Sequence, residues 1–138
     1  MKSKVKIALV GIFLFGVLSL VIGLSLYFKK HKDLSATKPD YVVTAVMLQK
    51  EFEDNEKTAS DKYINKIIEV NGTILSVTQA DSNSINLSLK TESDLSSVIC
   101  TFAATDPLKF RAGEDVTIRG ECSGFLMDVL LNNCALIK

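Results

Sequence analysis

The chain has no Trp, one His, two Pro and no Cys before position 100. Each scarcity excludes something. With no Trp and only 7% aromatics, the rings on which single-stranded nucleic acid stacks are in short supply. The lone histidine, His31, lies in the basic, solvated stretch KKHKD, so a Ser or Cys nucleophile has no imidazole base beside it. No CxxC is present and no His lies near a Cys, so zinc has no ligand set. No glycine-rich phosphate loop occurs, and Glu114-Asp115 reads as a polar turn before a strand rather than a catalytic carboxylate pair. The expectation is a protein without enzymatic activity, cofactor or metal. Seven Gly and two Pro exclude a fibrous or low-complexity chain, and 138 residues leave room for one compact domain and little more.

Net charge is also absent, but only in sum. Residues 1–33 hold six Lys and one Asp, a net of +5, whereas residues 34–138 hold ten basic and fifteen acidic side chains, a net of −5. Two parts in different surroundings are implied. Between the basic tail (residues 1–6) and a linker (residues 29–39), Ile7 to Phe28 is an uncharged run, IALVGIFLFGVLSLVIGLSLYF. As a helix it measures about 33 Å, enough for a hydrocarbon layer of roughly 30 Å. A lone segment in lipid satisfies its backbone only as a helix, so residues 7–28 are expected to span a membrane once. The run is longer than a cleavable signal peptide needs, and Leu26-Tyr27-Phe28 offers no small-residue cleavage site. An uncleaved signal anchor follows. Three Lys flank each end, so the charge rule for orientation nearly ties; the six-residue tail favours a domain on the non-cytoplasmic side. Gly16, Ser19 and Gly23 share one helical face and mark a candidate surface for homodimerisation.

Beyond Pro39 the pattern changes. Tyr41, Ala45, Leu48, Phe52, Ala59 and Tyr63 recur at helical spacing, predicting an amphipathic helical region over 40–63. Asp40 or Thr44 could cap it, and the polar cluster at Asn55 could divide it. Five strand-like stretches follow in residues 64–138: 66–77, 84–90, 98–102, one around 116–122, and 127–137. Gly72, in the middle of the first, suits a bulge or bend, and a hairpin around Gly124 would join the last two. A mainly β, five-stranded barrel preceded by a helix is the expected fold.

Several stretches resemble a known group: Ile68-Glu69-Val70-Asn71-Gly72, Ile99-Cys100-Thr101-Phe102, Gly113 through Gly120 (GEDVTIRG), Cys122-Ser123-Gly124 and Asn133-Cys134, with Ala59 and Tyr63 before them. The chain is similar to the bacterial OB-fold families related to tRNA-anticodon-binding domains, over roughly residues 44–138. The resemblance concerns positions that build the fold, so it implies a barrel and no defined chemistry. One departure is the transmembrane helix, where many anchored relatives would carry a lipidated Cys.

OB barrels often bind single strands through a basic, ring-bearing groove. Here the domain is acidic, and Phe102 has the parity of the core. Lys109, Arg111 and Arg119 form a weak basic cluster at most. Nucleic acid is therefore disfavoured, and a protein or envelope ligand is expected; the alternative is an inward-facing domain that binds RNA or single-stranded DNA. Cys100, Cys122 and Cys134 all share parity with apolar neighbours, as small core residues do. In an oxidising compartment one disulfide among them is a candidate. Cys100 with Cys134 is the easier pairing, because the third and fifth strands of such a barrel meet, but a loop after Cys122 would allow Cys122 with Cys134.

Overall fold

The computed structural model describes residues 1–27, 34–103 and 109–137. They fall into two compact units, Met1–Lys32 and Asp33–Lys138. Phe28, His31 and most of the lysine-rich stretch after the apolar run lie outside the described residues.

The first unit is α1, Lys2–Tyr27, a helix of 26 residues, about 39 Å long. Its apolar side chains from Ile7 to Leu26 are exposed in every direction. It is long and apolar enough to cross a membrane, which fits an anchor or a signal sequence.

The second unit is a closed β-barrel with two helices and one extra strand. Its elements are β1 Tyr41–Thr44, α2 Ala45–Asp54, α3 Glu56–Tyr63, β2 Ile67–Asp81, β3 Ser84–Leu89, β4 Val98–Ala103, β5 Asp115–Leu126 and β6 Asp128–Leu136. The sheet runs β1-β2-β3-β4-β6-β5, and β5 returns to pair with β2, which closes it. Closure is possible because β2 is 15 residues long: its first half pairs with β5, from Ile67↔Glu121 to Thr73↔Asp115, and its second half with β3. A bulge between Ile74 and Ser76 lies where the partner changes, and it lets the long strand turn the corner.

Two sequence expectations need correction. Residues 41–44 are a strand, parallel to β2 with Tyr41 opposite Ile68, and the helix starts only at Ala45. The spacing of Tyr41, Ala45 and Leu48 fits either state. What decides is the vacant edge of β2, which Val42, Val43 and Thr44 suit well as β-branched residues. Asp40 anchors the start twice: its N–H donates to the Ile67 carbonyl (2.7 Å) and its carboxylate accepts from the Ile67 N–H (2.9 Å). The second correction concerns the last hairpin. It turns at Met127, which adopts φ 77°, with Leu126 opposite Asp128. Gly124 instead follows a register shift inside β5, and Cys122 faces Leu131.

The helical boundaries follow local chemistry. Thr44 Oγ1 accepts the Met47 N–H (3.2 Å) and caps α2, and Asn55 Oδ1 accepts the Thr58 N–H (3.0 Å) and caps α3, dividing the two helices where the polar cluster predicted. The buried faces, Ala45, Leu48, Gln49 and Phe52 on α2 with Ala59 and Tyr63 on α3, pack on the barrel. Phe52 stacks on Phe125 (5.3 Å between centroids), and Tyr63 meets Tyr41 edge-on (5.2 Å). Inside, Ile68, Val70, Leu87, Leu89, Val98, Phe102, Ile118 and Leu131 are sealed from water. Gln49 and Thr91 are the buried polar residues among those described, and Gln49 sits under α2. Its amide donates to the Met127 carbonyl (2.9 Å) and to Glu53 (3.1 Å), fastening α2 to the hairpin tip.

Candidate binding groove

The barrel unit has a groove of about 620 Å³ where the start of α2, the middle of β2, the start of β5 and the end of β3 meet. Gly72 makes it. A Cβ there would sit 3.0 Å from the Ala45 Cβ and 3.3 Å from a Leu89 methyl, so only glycine lets the first turn of α2 settle this close to β2. Ala45, Val46, Gly72 and Val116 form an apolar floor. Around it stand Thr44, Asn71, Thr73, Thr91 and Thr117, with one cation, Lys90, and one anion, Asp115. Two cross-strand hydrogen bonds order this rim: Thr117 Oγ1 donates to Asn71 Oδ1 (2.6 Å), and Thr73 Oγ1 to Asp115 Oδ1 (2.5 Å). The rim donors are thus held in fixed positions by residues that are exposed to solvent.

A second depression, of about 210 Å³, adjoins it through the shared residues Lys90 and Thr91 and is bordered by Leu75, Leu95 and Asp128. The loop that borders it is fixed from within. Thr91, buried, donates to the Ser96 carbonyl (2.5 Å), and Asp128 accepts from both the N–H and the hydroxyl of Ser97 (2.6 and 3.0 Å). Ser96 in turn donates to Glu53 (2.9 Å). Hydrogen bonds from Gln49 and then Ser96 hold the Glu53 carboxyl below the usual carboxylate range. Lys90 and Thr91 line both depressions.

The outer faces of β2, β3 and β4 are of a different kind. The register aligns Thr78, Asn86 and Thr101 in one row and Ser76, Ser88 and Ile99 in the next. Neither row contains a ring or a charge. Phe102 points inward, as its parity predicts, and lies 5.1 Å from Phe110 between ring centroids.

Arg119 has a role that sequence reading missed. Its guanidinium pairs with Glu69 across the β2–β5 ladder and donates to three carbonyls, Leu34 (3.2 Å), Ser35 (2.9 Å) and Thr37 (2.6 Å). Both charged side chains are largely buried, and Leu34 is fully so. Arg119 is therefore a clamp on residues 34–37 and not a cation free to meet a polyanion, while Lys109 and Arg111 are exposed in the loop before β5. Only the planar, five-donor guanidinium can serve a carboxylate and three carbonyls at once.

The remaining candidate residues are placed as follows. On α1, Gly16 and Gly23 have open space where a Cβ would be, and the Ser19 hydroxyl donates to its own helix at Phe15 (3.0 Å). Cys100, Cys122 and Cys134 are all buried free thiols. Burial pushes the Cys122 thiol up to about 11. The groove residues were not singled out by their sequence; the only available signal was Asn71-Gly72 in mid-strand, where a glycine has to answer to a close neighbour.

A five-stranded barrel of this order, closed by its long first strand and walled by loops at such a groove, defines an OB-fold domain. The chain belongs to the tRNA_anti-like family, whose profile matches residues 1–136. Among solved structures it is similar to a lipoprotein from Klebsiella pneumoniae subsp. pneumoniae MGH 78578 whose description suggests that it binds nucleic acid. The two share 18% identity with a TM-score of 0.54, over 70% of this chain and 91% of the other, a likeness of fold. No curated protein matches the chain.

Proposed function

We propose that this protein is a non-enzymatic binding module, held in the membrane by α1 as an uncleaved signal anchor. Its barrel faces the non-cytoplasmic side and takes an extended segment of another envelope protein. The carrying observation is the groove, with its apolar floor at Ala45, Val46 and Val116 and its ordered rim of hydroxyls and amides. An extended polypeptide alternates amide groups with side chains, so it can offer partners to both surfaces at once. One Lys and one Asp on the rim give no net field of the kind a polyanion requires. The outer rows of β2–β4 likewise lack the rings and cations that hold single strands.

The description of the Klebsiella protein favours a second reading, an inward-facing domain that binds RNA or single-stranded DNA. Two measurements on the full-length protein separate them. Leu95 is 83% exposed and the native thiols are buried, so Leu95→Cys gives a clean label site. A membrane-impermeant maleimide is expected to react with it in intact cells. Fluorescent single-stranded DNA and RNA of about 20 nucleotides, titrated at low salt against the detergent-solubilised protein, are expected to show no saturable anisotropy change. Labelling only after cell lysis, together with binding that weakens steeply as salt rises, would establish the second reading instead.

A further inference from the structure

Cys100 lies on β4 and Cys134 on β6, two strands that pair in parallel with Cys100 opposite Leu131. Beyond Leu131 the ladder of β6 is irregular: the register with β5 shifts between Arg119 and Glu121, and Asn133 takes φ 53°. This kink turns Cys134 inward. Its thiol donates to the carbonyl of Leu131, the residue that faces Cys100 (3.4 Å). Gly120, across on β5, leaves the space that the sulfur occupies, since a Cβ there would come within 2.6 Å of it. The sulfur of Cys134 is therefore held against the carbonyl of the residue paired with Cys100, and the two thiols are close enough inside the barrel to influence each other. Cys122 lies on β5, with Leu131 as its cross-strand partner.

We propose that Cys100 and Cys134 are a disulfide pair that closes while the domain folds against an exchangeable disulfide, stapling β4 to β6, and that Cys122 stays a thiol. The chemistry balances as two exchanges. The thiolate of one cysteine attacks the small disulfide, forming a mixed disulfide and releasing one small thiolate. The thiolate of the second cysteine then attacks the protein sulfur of that mixed disulfide, forming the Cys100–Cys134 bond and releasing the second small thiolate. Two protons leave the protein thiols, and the two electrons rest on the two released small thiols. Folding is the stage at which this happens because the finished barrel seals both sulfurs from solvent. The Cys100–Cys134 contact itself and burial both hold the Cys100 thiol protonated in the native state.

The test is oxidative refolding of the full-length protein in detergent. It is unfolded in guanidinium chloride, refolded with reduced and oxidised glutathione, quenched with an alkylating reagent and mapped by peptide mass spectrometry. The expected product links Cys100 to Cys134 and carries the alkyl group on Cys122. Cys122→Ala is expected to form the same bridge, Cys134→Ala none within the chain, and the bridged form to melt more than about 5 °C above the reduced one. A bridge that contains Cys122, or three alkylated cysteines in a buffer that oxidises a control dithiol peptide, overturns the pairing. Acid-trapped cells supply a separate arm, because oxidant in the cell depends on the exported orientation. Bridging in the refolding buffer with free thiols in the cell supports the pairing and counts against that orientation.

Discussion

Gly120 offers the sharpest test of how the barrel is packed. Its φ is not in the left-handed region, so Ala fits the backbone, and by restricting the unfolded chain Gly120→Ala alone would add up to about 1 kcal/mol of stability. The surroundings forbid that gain. The new methyl would lie 2.6 Å from Cys134 Sγ, 3.1 Å from Leu131 Cβ and 3.3 Å from the Asn132 carbonyl oxygen. The last two belong to or adjoin the β6 backbone and cannot swing away; the sulfur is a full ångström or so inside ordinary contact. Such overpacking costs about 1–3 kcal/mol, so Gly120→Ala is expected to destabilise by roughly 2 kcal/mol. Cys134→Ala removes one buried sulfur and its weak hydrogen bond, at a cost of about 1 kcal/mol. In the double variant the methyl occupies the vacated place. The two costs are therefore expected to fall short of additivity by more than about 1 kcal/mol. Because the chain has no Trp, urea unfolding is followed by far-UV circular dichroism, under reducing conditions and in detergent. Additive costs within about 0.5 kcal/mol would mean that Gly120 and Cys134 do not share this space, and would refute the close packing of β5 on β6.

Two further outcomes are expected. Arg119→Met leaves the Glu69 carboxylate largely buried without its cation and removes the guanidinium's bonds to three carbonyls, and is expected to cost about 3 kcal/mol and to open residues 34–37 to limited proteolysis; Arg119→Lys should not restore protection. Undiminished resistance to protease would show that the clamp is not what holds this segment. Met127→Gly relieves a non-glycine residue at φ 77° whose side chain is 66% exposed, and is expected to raise stability by about 1 kcal/mol, read as a shift in the urea midpoint with unchanged slope.

The apolar run to Leu26 was legible because a helix long and apolar enough to cross a membrane is marked by length and composition alone. So were the division of the helical region at Asn55 and Thr44, one of the two caps offered for its start, since such side chains act within three residues, and the inward set of Val98, Cys100 and Phe102, which simple alternation specifies. The five barrel strands appeared in the right order for the same reason. Their exact partners did not. Tyr41–Thr44 became a strand because β2 has a free edge there, a fact about a residue pair 27 positions apart at Asp40 and Ile67. Arg119 read as a basic surface residue until the fold set Glu69 and three carbonyls around it.

What the sequence by itself determined, then, is whatever one stretch of backbone decides alone: a greasy helix, capped helical turns, alternating strands and an acidic domain after a basic tail. The tertiary structure decided everything that depends on which edge meets which. It placed the hairpin turn at Met127 and not at Gly124, and put Ala45 in the hollow of Gly72. Register is set when the barrel closes and every strand must satisfy two neighbours together, and no local pattern contains that condition.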